Sequence, residues 1–162
     1  MQPPQPRDLL RQPVLLFAFG FGSGLSPRAP GTVGTLAALP LVALSLGLSP
    51  LAYVGVTLAI SLLGIPLCGE AARRLGVHDH GGIVWDEFAG LFVTAAPLLW
   101  LAAPPWLGLG LAFAWFRLFD IAKPWPIRWL DQQVDGGLGI MLDDLVAGLF
   151  GAGALWLSLL LL

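Results

Sequence analysis

Charge is confined to three parts of this 162-residue chain, and long apolar runs separate them. Every Lys, Arg, Asp and Glu lies in the N-terminal segment up to Arg28, in 69–87, or in 117–144. The runs 33–48 and 51–68 contain no charged side chain, and three further apolar runs follow at 88–103, 106–122 and 145–162. A helix of such a length reaches roughly 24 to 27 Å, just enough to cross about 30 Å of hydrocarbon. Soluble domains carry about a quarter charged residues. Here charged residues are 11%, hydrophobic residues 57%, and mean hydropathy is +0.82. The pattern predicts an all-α integral membrane helical bundle of about five membrane helices. The alternative is a soluble all-helical bundle with very apolar helices.

Punctuation residues set the expected breaks. Ser49-Pro50, Pro104-Pro105 and Lys123-Pro124 should each end a helix, because the residue before a proline resists the helical region. Gly64 and Pro66 are expected to kink the second run. The piece 13–22 is too short to span and predicts a short N-terminal interfacial or re-entrant helix, while the Gly/Pro-dense 22–34 reads as a loop. One domain, 1–162, is expected, with the Pro-rich residues 1–12 as a flexible tail. Residues 14–20 are too short for the apolar core of a signal peptide. The single cysteine, Cys68, lies in an apolar run and predicts a small buried side chain, not a disulfide or zinc ligand.

The connections near Ser49-Pro50 and at 103–105 are uncharged, so a five-helix path puts all three charged regions on one side. Arg7, Arg11, Arg28, Arg73, Arg74, Lys123 and Arg128 place that side in the cytoplasm by the positive-inside rule. Trp85, Trp125 and Trp129 at that surface, with Trp100 and Trp106 opposite, fit an aromatic belt. A net charge of −2 argues against nucleic-acid binding, and no feature marks a protein partner.

Three clusters converge on the charged side. Trp85-Asp86-Glu87 opens the third helix, where helix capping and the dipole would explain the acids without chemistry. Arg117, Asp120 and Lys123 follow at three-residue spacing, on one helix face. An ion-paired helix end would account for them, yet Arg117 and Asp120 lie inside an apolar run, where charge is costly and usually functional. The third cluster is Asp143-Asp144. A Gly-rich bend is expected to deliver this pair to the start of the last helix, where one aspartate would suffice as a cap. Together Asp86, Glu87, Asp120, Asp143 and Asp144 form a hard-oxygen set suited to Mg²⁺ or Mn²⁺. Arg117, Lys123, Arg28 and Arg128 are available for phosphate oxygens. Metal, phosphate and interface together point to an enzyme acting on a phospholipid headgroup. Thr32, in the PGTVG segment, and the trio His78-Asp79-His80 are further candidates, with a plain turn and a polar loop as the competing readings.

The blocks GFGSGLSPRAPGTVG, GVHDHGGIVWDE and FRLFDIAKPWPIRWLDQQVDGGLGIMLDD, in this order, resemble the three signature blocks of the phosphatidylglycerophosphatase A family. The likeness extends from about Pro13 to the end. It implies a Mg²⁺-dependent, multi-pass phosphatase of the bacterial inner membrane, active on the cytoplasmic side, that converts phosphatidylglycerophosphate to phosphatidylglycerol. It implies Asp86, Glu87, Asp120, Asp143 and Asp144 as the catalytic and metal-holding acids, with His78 beside them. Thr32, Arg117, Lys123 and Arg28 are the implied substrate contacts. Two other classes stay open. A CDP-alcohol phosphotransferase would need a DGxxAR motif, but Asp135-Gly136 is followed by Gly137-Leu138-Gly139. An ion or proton transporter would need carboxylates at mid-helix.

Overall fold

The computed structural model describes residues 5–77 and 80–162, and these contain no strand. The chain begins with two short helices, α1 (Pro6–Arg11) and α2 (Pro13–Ala18), and a 3-10 turn at Gly20–Leu25. Six helices follow: α3 (Pro30–Ser45), α4 (Pro50–Leu75), α5 (Trp85–Ala95), α6 (Pro105–Ala122), α7 (Ile127–Gln133) and α8 (Gly136–Leu161). Proline opens α1, α2, α3, α4 and α6, where its missing N–H leaves no bond unmade. The stretch expected to trail as a tail contributes α1, whose Leu9 is buried against a cluster that includes Leu15, Phe19, Ala71 and Cys68.

α3 takes its first turn from the expected loop 22–34, beginning at Pro30, and the later helices depart from the expected runs in three places. First, α4 does not stop at Cys68 but continues to Leu75 before Gly76 caps it in the left-handed region (φ 66°). Glu70 supports this extension by accepting from Arg73 Nε at 2.8 Å and Arg74 Nε at 2.7 Å, one turn away. Second, the run 88–103 is not one helix. α5 ends at Ala95 and passes into a 3-10 turn, Ala96–Leu99, because Pro97 has no N–H with which to continue the ladder. Its 11 residues cover about 16 Å, half the hydrocarbon thickness. Third, α8 begins at Gly136, not at Leu145. Gly137 packs on α4 so closely that a Cβ there would collide with the Ile65 carbonyl.

Of the expected spans, α4 and α8, at 26 residues each, are long and apolar enough to cross a membrane. Only 17% and 28% of their most apolar windows are buried, so Leu51, Leu62, Leu63, Leu157 and Leu160 stand exposed. The core helix of a soluble protein would bury such a surface. α3 is apolar but has 16 residues.

α8 packs against α4, α5, α6 and α7, and α3 covers α5 and α6. The α5–α8 crossing depends on small residues, as membrane helix pairs often do. A Cβ on Gly148 would lie 2.6 Å from the Gly90 carbonyl oxygen. Thr94 Oγ1 donates across this contact to the carbonyls of Gly90 (2.9 Å) and Gly148 (3.2 Å). Phe88, Leu91, Phe92 and Phe116 fill the core beside it, and Tyr53 donates its hydroxyl to the Phe92 carbonyl at 2.8 Å. This packing gathers the first turns of α3, α5 and α8 and the last turns of α4 and α6 at one end of the bundle. The polar side chains collect there.

Candidate active site

A cavity of about 180 Å³ at that end is lined by Asp86, Glu87, Asp120, Lys123, Asp143 and Asp144, with Asp131 at its edge. All five predicted carboxylates therefore border one space, although they come from three helices far apart in the chain.

Their local roles differ from the capping alternatives. The N-cap of α5 is Val84, so Asp86 and Glu87 are the second and third helical residues. Asp86 Oδ1 accepts the Glu87 backbone N–H at 3.0 Å. The aspartate pair lies two turns inside α8, not at its start, so capping does not explain it. Adjacent helical residues point about 100° apart, and the pair divides accordingly. Asp143 Oδ2 accepts from Lys123 Nζ at 2.7 Å. Asp144 turns toward α5, and its oxygen, with one each from Asp86 and Glu87, forms a group whose members all lie within 4.8 Å of one another.

Two cations adjoin the acids of this site. Arg117 Nη1 bonds Asp120 Oδ2 and lies 3.8 Å from Glu87 Oε1. Lys123 ends α6 in the left-handed conformation (φ 41°), and its ammonium reaches Asp131 and Asp143, at 2.7 Å each. Partial burial disfavours that ammonium, but the hydrogen bonds to Asp131 and Asp143 outweigh it and hold Lys123 above the ordinary lysine range. Asp143, Asp144 and Glu87 are 6%, 4% and 8% exposed. Two polar atoms in this desolvated site, Glu87 Oε2 and Arg117 Nε, are buried with no hydrogen-bond partner among the described residues. An unpartnered buried carboxylate oxygen costs about 1–3 kcal/mol or more, and three clustered carboxylates repel one another. Both costs fall if a cation is shared between Asp86, Glu87 and Asp144.

Other predicted residues stand differently. Thr32, Arg28 and Arg117 do not line the cavity, although Arg117 contacts its walls at Asp120 and Glu87. α3 starts at Pro30 behind Ala29, which is left-handed (φ 47°), so Thr32 is an internal first-turn residue and not a cap. Arg28 is exposed, and its carbonyl accepts from Ser26 Oγ at 2.8 Å. The PGTVG segment meets the site through Gly31, where a Cβ would collide with Glu87 Oε1 and stand 3.2 Å from Arg117 Nη1. His78 and Asp79 lie outside the described residues. Asp131 is a site residue that the sequence reading does not single out. Its signal is spacing, since a turn through Pro124 and Pro126 into α7 returns the chain toward Lys123.

The chain matches the phosphatidylglycerophosphatase A family over residues 16–159. It is 48% identical over 147 residues to phosphatidylglycerophosphatase A of Escherichia coli, covering 91% of this chain and 84% of that protein. The protein of the same name from Haemophilus influenzae is 46% identical over 143 residues, covering 87% and 85% of the two chains. A relative from Bacteroides thetaiotaomicron, 38% identical over 148 residues and covering 85% and 87%, carries the provisional name phosphatidylinositol-3-phosphatase. No solved structure matches the chain. With the family match spanning most of its length and two relatives near half identity, the chain belongs to the phosphatidylglycerophosphatase A family of phosphatases.

Proposed function

We propose that the protein hydrolyses the terminal phosphomonoester of phosphatidylglycerophosphate, releasing inorganic phosphate and leaving phosphatidylglycerol, and that it requires Mg²⁺. The observation that carries this reading is the convergence of Asp86, Glu87 and Asp144 around the unpartnered Glu87 Oε2, with Arg117 and Lys123 alongside. Hard carboxylate oxygens from two helices suit Mg²⁺, which is typically held by few carboxylates and leaves room for phosphate. When bound, the ion would supply charge neutralisation and a more acidic water.

The residues divide the remaining work. Arg117 offers a planar fork to two phosphoryl oxygens, and Lys123 offers a point charge. Both are already aimed by carboxylates, Arg117 by Asp120 and Lys123 by Asp131 and Asp143. An incoming phosphate meets cations held in place, and little reorganisation remains for the transition state. In the net reaction water forms the new P–O bond, the bond to glycerol breaks, and the glycerol oxygen takes a proton. His78, close in sequence to the site's Gly81, is our candidate for the acid.

We further propose that the bundle is multi-pass in the bacterial inner membrane with this site on the cytoplasmic side. The exposed leucines of α4 and α8 support a lipid surround. Basic residues collected at the site end, against uncharged connections at the other, support the orientation.

The test is phosphate release by detergent-purified protein on a panel of phosphate-headed lipids, with and without Mg²⁺. Mg²⁺-dependent release from phosphatidylglycerophosphate, above phosphatidic acid and phosphatidylinositol phosphates, is expected. Equal release in chelator would remove the metal, and preference for another lipid would remove the substrate.

A further inference from the structure

A second, wider pocket of about 640 Å³ adjoins the acidic cavity at Gly81, which lines both. Its walls are of another kind: Phe19, Leu25, Pro27 and Pro30 supply apolar surface, and Ser26 and His80 supply polar groups. His80 is held in a defined state. Its Nδ1 accepts the Gly82 backbone N–H at 3.0 Å, and its ring packs on Phe19 with centroids 5.5 Å apart. A neutral imidazole whose Nδ1 accepts carries its proton on Nε2, so His80 retains one donor. The loop that bears it is braced by close backbone packing, with a Cβ on Gly82 falling 2.7 Å from the Gly24 carbonyl oxygen.

The acidic cavity is small and lined largely by charged groups, which suits a phosphomonoester. The rest of the proposed headgroup, a glycerol and an internal phosphodiester, needs a larger space with hydrogen-bond donors and some apolar wall. We infer that the His80 pocket is the subsite for this glycerol-phosphodiester portion, with His80 Nε2–H as a specificity-determining donor to it. This inference rests on the substrate reading above. It separates selection of the headgroup, at His80, from phosphoryl chemistry, at the carboxylates.

Two variants test it in the full-length, detergent-purified protein. His80→Asn keeps an acceptor for the Gly82 N–H but removes the distal donor, and His80→Gln places an amide N–H near the Nε2 position. For phosphatidylglycerophosphate, H80N should raise KM by roughly ten- to a hundredfold, the loss of one hydrogen bond to a charged group. The expected kcat and Tm are those of the wild type, and H80Q should recover part of the KM. An unchanged KM in H80N, a fall in kcat at unchanged KM, or equal defects in H80N and H80Q would each overturn the subsite. A wild-type protein inactive on this lipid would overturn the substrate reading, and the inference with it.

Discussion

Replacing Asp144 by asparagine should make the metal-free protein more stable while abolishing its activity. Asp144 is 4% exposed and shares a 4.8 Å group with Asp86 and Glu87. Two unit charges at that separation repel by about 3.5 kcal/mol at an effective dielectric near 20. Two such neighbours would cost about 7 kcal/mol, but a carboxylate escapes by binding a proton, which caps the cost at about 4 kcal/mol near neutral pH. The substituted amide has nearly the same shape and no charge, so a gain of about 1 to 4 kcal/mol is expected, less whatever hydrogen bonding is lost. At about 2–4 °C per kcal/mol, this is a rise in Tm of several degrees. The assay is thermal unfolding in detergent with chelator and with Mg²⁺, alongside phosphate release. Mg²⁺ should raise the Tm of the wild type and leave D144N unmoved, because binding to the folded state alone stabilises it. If D144N melts lower than the wild type in chelator, or if Mg²⁺ raises both proteins equally, the carboxylate group is not a cation site.

Other substitutions separate the parts of the site. Arg117→Lys keeps the charge beside Glu87 and Asp120 but loses the fork, so kcat/KM should fall by about tenfold or more at nearly constant Tm. Asp131 and Asp143 both hold Lys123, but their side chains are 37% and 8% exposed. Phosphate release should therefore drop only a few-fold in D131N and by roughly a hundredfold in D143N. Gly148→Ala forces a methyl to 2.6 Å from the Gly90 carbonyl and should destabilise the protein by about 1–3 kcal/mol, seen as a lower Tm.

Much of this arrangement is legible in the sequence. Segregated charge predicts an all-helical chain with its polar groups at one end, and the five carboxylates that border the cavity stand out by their positions at the edges of apolar runs or, for Asp120, inside one. What escapes is set by tertiary contact. Gly136, Gly137 and Gly139 read as a bend because each glycine costs a helix about 1 kcal/mol, yet they form the first turn of α8, where Gly137 packs against α4 and Gly139 against the Val134 carbonyl. The apolar run stops at Cys68, before Glu70, Arg73 and Arg74, whereas the ion pairs of these residues extend α4. Pro97 is hidden inside an apolar run, and α5 is correspondingly short. Asp131 leaves a spacing signal alone, because α7, at seven residues, is too brief to leave a periodic one. Gly31 is what the PGTVG segment brings against Glu87, an approach that a backbone without a Cβ makes possible.

The position of Asp143 and Asp144 two turns into α8 makes the length of that first stretch a ruler. One residue inserted between Gly136 and Asp143 would swing the doublet by about 100°, presenting Asp143 where its neighbour belongs and turning Asp144 off the α5 carboxylates altogether. The same insertion past Leu155 would leave the doublet in place and disturb only later contacts such as Trp115–Ser158 and the packing of Leu159. Tolerance to added residues should therefore be steeply one-sided along α8, with register, and not composition, as the property that the glycine-rich beginning preserves.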